Sequence, residues 1–370
     1  MNETKKLGFG LMRLPKKLTG IDIPQVKEMV DLFMAAGFTY FDTAYIYPGS
    51  EAAAKKALVD RYPRESFTLA TKINAAIPGL TEKMVKSQFE TSLKRTGAGY
   101  FDYYLLHTLM DKNVRRYDRF DLWNFAKQKK KEGLVRNVGF SFHDGPELLE
   151  KLLQEHPDMD FVQLQINYAD WENEKIAARR NYEIARAHGK QIVVMEPVKG
   201  GKLADPPEEV KRLMKAYAPD ASFASWAIRF VASLDGILSV LSGMSNTAQM
   251  RDNLSFMKDF QPLNAEERAI IRKAQEIYQK SAAVPCTGCG YCKAGCPKGI
   301  AIPDVLEALN LHLVSGQTAE GRAAYDRLIA AGSGAAGDCI GCKKCENACP
   351  QHIEITKALQ QASALFAESR

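Results

Sequence analysis

The chain has 370 residues, enough for a large core and a second, smaller unit, and its 46% hydrophobic and 25% charged content is that of a globular protein. Residues 1–14 contain Lys5, Lys6 and Arg13 but no apolar stretch of secretory-signal length, and no later segment has the apolar length of a membrane helix, so a cytoplasmic protein with no membrane partner is expected. The formal net charge of +6 is a small excess, and nucleic acid is not an expected partner.

In chain order, residues 7–12 read as a first strand or as a lid across the bottom of the fold. Short runs rich in β-branched and aromatic residues then alternate with amphipathic stretches. The strand-like runs are 38–43, 67–72, 103–107, 137–142, 161–167, 191–197 and 237–243. The helix-like stretches include 25–36, 51–61, 82–95, 121–132, 174–188 and 265–279. This repetition predicts a parallel sheet in an α/β protein, and over residues 1–280 it fits a (β/α)8 TIM barrel. A doubly wound sheet is the alternative, but it needs a glycine-rich turn after its first strand, which is not there. The basic run Lys127, Lys129, Lys130 and Lys131 reads as a solvated helix face, with a docking patch for an acidic redox partner protein as the alternative.

All eight cysteines lie in the last part of the chain, in two CxxCxxCxxxCP runs. Cys286, Cys289, Cys292 and Cys296 precede Pro297; Cys339, Cys342, Cys345 and Cys349 precede Pro350. Three thiolates at this spacing wrap three corners of a cuboidal cluster, and the fourth, leaving the loop at the proline, reaches the other cluster. The expected sets are Cys286, Cys289 and Cys292 with Cys349, and Cys339, Cys342 and Cys345 with Cys296. Zinc sites use paired CxxC units and have no use for the third cysteine, and disulfides are disfavoured in a reducing compartment. Two [4Fe–4S] clusters, each bringing net −2 with its thiolates, lower the overall charge to about +2. Residues 303–315 and 318–331, between the motifs, read as helices, with Pro303 suited to a first turn. Residues 281–370 thus form an expected second domain that resembles the α-helical ferredoxins. The GSGAAG at 332–337 matches a dinucleotide fingerprint in letters only, since it follows a helix and enters a cysteine loop; a flexible connector is expected there.

In a barrel, chemistry belongs at the C-terminal strand ends. Those ends carry Asp42 and Tyr47 after one strand, Lys72 after the next and His107 after the one following. Each alone has an ordinary explanation: a turn cap, a rim aromatic, a surface charge, a satisfied buried histidine. Four compatible groups on consecutive strand ends argue together for a site.

Here the sequence resembles the aldo-keto reductases. The resemblance is carried by KLGFGLMRLP at 6–15, FDTAYIY at 41–47, TLATKI at 68–73, YLLH at 104–107, VGFS at 138–141, VQ at 162–163, EPVKGGKL at 196–203 and SGMSNTAQMRDN at 242–253. It extends from residue 7 to about 260, and with the cysteine domain it matches a bacterial and archaeal branch of that family. The resemblance implies hydride transfer from a nicotinamide to a small-molecule carbonyl substrate. Tyr47 is then the proton donor, Lys72 the cation that lowers its pKa, Asp42 the partner that holds Lys72, and His107 the group that orients the substrate oxygen. Where family members reduce carbon–carbon double bonds a glutamate replaces that histidine, so His107 favours carbonyl chemistry.

On the cofactor side, the resemblance places Ser141 and Gln163 at the nicotinamide carboxamide and Met195 at its ring face. It places Lys199 and Gly200 at the pyrophosphate, Gly243 and Gln249 at the 2′-phosphate, and Asn253 at the adenine. Phe142 stands where an asparagine is usual, with His143 beside it, and Arg251 is the cation near Gly243 in sequence. NADP(H) is the implied cofactor, with NAD(H) left open. Nicotinamide carries electrons in pairs and each cluster takes them singly. Three roles stay open for the clusters: structural braces, carriers of single electrons to or from a substrate, or partners of a flavin. An electron-transfer protein, or a flavin-dependent oxidoreductase whose barrel does not reduce carbonyls, is the alternative function. Tyr45, Trp123, Trp171 and Trp226 are candidates for a pocket wall, with core or rim packing as the alternative.

Overall fold

The computed structural model describes residues 5–77, 79–281 and 283–366. It divides into two compact units: Met1–Val198 with Leu203–Lys273, and Lys199–Lys202 with Ala274–Arg370.

The first unit is a closed barrel of eight parallel strands: β1 (Leu7–Gly10), β2 (Tyr40–Asp42), β3 (Thr68–Ile73), β4 (Phe101–Leu109), β5 (Val135–Phe142), β6 (Phe161–Gln165), β7 (Gln191–Met195) and β8 (Ile237–Ser242). Residues 7–10 are thus a strand of the barrel itself, and β1 closes it by pairing Leu7 with Val240 and Gly8 with Tyr40. Each strand overlaps a predicted run, and β4 and β5 begin two residues earlier than their runs. The two-stranded piece Lys16–Lys17 with Gly20–Ile21 stands outside the barrel. Helices follow the strands, and their apolar stripes pack on the outward strand residues in one continuous core that includes Phe33, Phe41, Phe89, Phe101, Phe140 and Val162. Inside the barrel, Tyr40, Ala70, Leu105, Phe161, Val193 and Leu241 form a separate layer. Two glycines make room for it. A Cβ on Gly8 would lie 2.5 Å from the Ser239 hydroxyl, and one on Gly139 would lie 2.3 Å from the Phe161 carbonyl.

All four candidate aromatics serve packing or ion contacts, Trp171 lying against Tyr182 and Phe230. Trp226 is buried in the helix Phe223–Ala232, Trp123 stacks on His156 with centroids 3.7 Å apart, and Arg95 lies over the Tyr45 ring. In the basic run, three of the four lysines are ion-paired, Lys127 with Asp158, Lys129 with Glu132 and Lys130 with Asp160, which offsets most of the run's charge.

The second unit is helical, with Ile302–Ser315, Thr318–Ala330, Lys344–Ala348 and Ile355–Phe366. Pro303 falls in the first turn of its helix, where a missing N–H costs nothing. Val305, Leu309, Leu359, Ala362 and Phe366 form the core together with Cys292, Cys345 and Cys349. The GSGAAG segment is packed, not loose: Gly334 donates to the Gly299 carbonyl, and a Cβ there would lie 2.1 Å from the Lys298 carbonyl. Gly334 thus serves close approach between chain segments, and Gly332 takes a left-handed φ of 90°.

Candidate functional site

Alternate residues of a strand face the barrel interior. One inward step beyond the layer of Tyr40, Ala70, Leu105, Phe161, Val193 and Leu241 stand Asp42, Lys72, His107, Gln163, Met195 and Gly243, with Ser141 one step beyond Gly139. Three members of the expected tetrad, Asp42, Lys72 and His107, and the expected nicotinamide contacts Ser141, Gln163 and Met195 therefore occupy a single level at the C-terminal end of the barrel.

The centre of that level is Lys72. It is fully buried and donates to Asp42 Oδ1 at 2.5 Å and to the Thr43 carbonyl at 2.7 Å. Burial pushes the Asp42 carboxyl up and the Lys72 ammonium down, while their mutual attraction works against both shifts. A second carboxylate, Glu51, also favours the charged lysine; it is buried, accepts from the Thr71 hydroxyl at 2.9 Å and pairs with Arg95 at 3.3 Å. Tyr47 sits half-buried on the turn after β2, its ring centroid 5.4 Å from Lys72 Nζ. His107 meets that ring edge-on, with centroids 5.7 Å apart. The structure thus brings all four tetrad side chains together.

His107 is buried, and burial holds its imidazole well below the ordinary value, with Lys72 and His143 adding repulsion. Its carbonyl accepts from the Tyr117 hydroxyl, and its Nδ1 meets no partner among the described residues. The next residue, Thr108, has φ 61°, a left-handed conformation costly for a β-branched residue. The bend is held from both sides: Thr108 N–H donates to Ser141 Oγ at 2.7 Å, and Asn113 donates to the Thr108 carbonyl at 2.7 Å. The register between β4 and β5 shifts at this point.

Ser141 and Gln163 are paired across β5 and β6. Ser141 uses a lone pair on Thr108 and keeps its O–H as a donor, while the buried Gln163 Oε1 has no hydrogen-bond partner among the described residues. Phe142 points into the core between strands and helices, so it makes no polar contact in place of an asparagine. Asn253 is buried and accepts from the Ser242 hydroxyl at 2.7 Å, tying its helix to β8. Gln249 Oε1 accepts from Ser245 N–H at 2.7 Å, and Arg251 pairs at the surface with Glu28. Lys199 is buried with φ 49°, and Gly200 packs in the second unit. Arg13, which no sequence motif singles out, runs its side chain along Gly243 and lies 3.9 Å from Glu196. Only closure of the barrel brings the ends of β1, β7 and β8 into contact, so no local signal marks this arginine.

In the second unit the cysteines surround two cavities. The first is lined by Cys286, Cys289, Cys292 and Cys349, the second by Cys296, Cys339, Cys342 and Cys345. None of the eight is joined in a disulfide. Among the described residues no three His, Cys, Asp or Glu side chains converge on a point that would hold a single ion. Burial pushes the Cys286 and Cys345 thiols up and that of Cys292 up to about 12. Such sulfurs are poor nucleophiles unless a cation draws out the thiolate. No helix among the described residues is long and apolar enough to cross a membrane.

Residues 6–276 match the aldo/keto reductase family and residues 285–355 a 4Fe-4S dicluster domain. An uncharacterized oxidoreductase of Schizosaccharomyces pombe is 25% identical over 296 residues, covering 75% of this chain and 92% of that protein. An aldo-keto reductase of Strobilurus tenacellus is 30% identical over 211 residues, 54% of this chain and 59% of its own. Among solved structures, the holo form of an aldo-keto reductase from Bacillus halodurans is similar, with TM-score 0.57 and 25% identity over 73% of this chain and 91% of that one. One from Klebsiella pneumoniae, in complex with NADPH, has TM-score 0.59 at 19% identity, covering 74% and 90% of the two chains, and shares the fold. The protein is an oxidoreductase that belongs to the aldo/keto reductase family and carries an iron–sulfur domain at its C-terminal end.

Proposed function

We propose that the barrel reduces a small carbonyl compound with a nicotinamide cofactor, with Tyr47 as proton donor, and that the second unit holds two [4Fe–4S] clusters. The observation that carries the first part is the buried Lys72–Asp42 pair set beside Tyr47 and His107 on neighbouring strand ends.

The nicotinamide, when bound, supplies the hydride. Ser141 and Gln163 fit its carboxamide: a hydroxyl donor and an orphaned buried carbonyl oxygen stand together in one layer and await complementary groups. Met195 offers a polarisable thioether to the ring face. Arg13 sets a cation beside Gly243, at the position the resemblance gives to the 2′-phosphate, which favours NADP(H), the cofactor named for the Klebsiella relative.

A tyrosine with a pKa near ~10 is a weak acid at neutral pH. The Lys72 ammonium beside its ring stabilises the phenolate that remains once the proton has moved from Tyr47 Oη to the developing alkoxide. Asp42 fixes the lysine in place. Burial keeps His107 neutral, and the neutral ring donates its one N–H to the substrate oxygen. Tyr47→Phe is expected to lower carbonyl turnover by ~10³-fold or more while the dissociation constant for NADPH, read by fluorescence, stays within about twofold. Retained turnover would refute the assignment.

The two cavities fit cuboidal clusters because four cysteines line each, the ligand number such a cluster takes. Such clusters supply one-electron carriers, and a part in electron transfer to a redox partner belongs to this reading. Anaerobic addition of NADPH tests it: bleaching of the cluster absorbance supports electronic contact with the nicotinamide, and carbonyl-dependent NADPH loss without bleaching refutes it.

A further inference from the structure

The four residues Lys199–Lys202 follow β7 in sequence but pack with the second unit. The approach is close. Gly200 has φ 67°, and a Cβ on it would lie 2.2 Å from the carbonyl oxygen of Thr287, the residue after Cys286. Only glycine is accommodated there. Two residues on, Lys202 donates to Glu307 Oε2 at 2.9 Å, and Glu307 directly follows Leu306, part of the wall around Cys286, Cys289, Cys292 and Cys349.

A cluster gains one negative charge when it accepts one electron. A fixed ammonium nearby stabilises the reduced form more than the oxidised form, and a carboxylate does the reverse. We propose that Lys202 sets the potential of the cluster in the first cavity, raising it through its charge, and that Glu307 limits the rise by pairing with it. This rests on the reading of Cys286, Cys289, Cys292 and Cys349 as ligands of one cluster. Lys202 is a positioning charge and no ligand, so its effect belongs to one cavity only.

The test is an anaerobic redox titration of the purified holoprotein followed by EPR, comparing wild type with Lys202→Gln, Lys202→Arg, Glu307→Gln and Cys286→Ser. Lys202 and Glu307 are both part-exposed, so their variants are expected to fold with the Gly200–Thr287 contact intact. Loss or change of one signal in Cys286→Ser identifies the first cluster. In Lys202→Gln that signal is expected to show about a tenfold higher oxidised-to-reduced ratio at the wild-type midpoint, equivalent to ~59 mV for one electron. Glu307→Gln moves it the other way, Lys202→Arg leaves it in place, and the second signal stays put throughout. An unmoved midpoint in Lys202→Gln, or equal movement of both signals, overturns the role of Lys202 and leaves the ligand set standing. Two unaltered signals in Cys286→Ser overturn the ligand set and the proposal with it.

Discussion

His107 has a measurable thermodynamic signature. An imidazole held neutral by burial binds fewer protons folded than unfolded, so stability rises with pH across the window from its depressed native pKa up to about 6.5. Acidification below that value therefore destabilises the barrel by up to about 1.4 kcal/mol per pH unit from this one group. His107→Gln is expected to flatten the slope of urea midpoints between pH 5.5 and 7.5, and an unchanged slope would place the acid sensitivity elsewhere. Lys72 and Asp42 behave differently. Removing one partner leaves the other charged, buried and unpaired, a change that costs about 3–5 kcal/mol in comparable settings. That cost is why both partners stay.

At the scale of elements, the barrel positions its chemistry by period-2 alternation, and the alternation tolerates little change in volume. Gly139 is followed two residues later by Ser141, and its missing side chain lets Phe161 fill the interior beneath the site. Gly139→Ala would drive a methyl into the Phe161 carbonyl and ring. It is expected to lower the thermal midpoint by several degrees and to weaken NADPH binding, because Ser141 and Gln163 lie on the two displaced strands; calorimetry and a binding titration check the two effects. The strands themselves are legible from β-branched and aromatic runs such as 67–72 and 161–167, since a strand buried on both faces shows its composition locally. Asp42, Tyr47, Lys72 and His107 are legible because each ends or follows such a run. Glu51 and Arg13 are not. The first sits on an ordinary amphipathic helix and the second on the turn after β1, and each gains its meaning from a partner far along the chain. The left-handed Thr108 is equally silent, because threonine gives no local hint of positive φ.

At the scale of the whole molecule, the cysteine cavities exchange their last members. Cys349 belongs with the first loop and Cys296 with the second, as CxxCxxCxxxCP spacing suggests, while the Gly200–Thr287 contact, which joins residues distant in sequence, has no motif to announce it. Cys349→Ser is expected to alter the cluster of the first loop and Cys296→Ser that of the second, as read by iron content and EPR of each holoprotein. The opposite pattern would mean that each loop supplies its own fourth ligand.

This crossed arrangement makes the two cavities a linked pair in biogenesis. A nascent chain that has emerged only through its first cysteine run offers three sulfurs and an open corner, and the missing thiol arrives with the segment that also begins the other cage. Neither cage is complete before both loops have met. On the proposed ligand sets, metal loading is expected to be cooperative, with half-loaded protein a transient species.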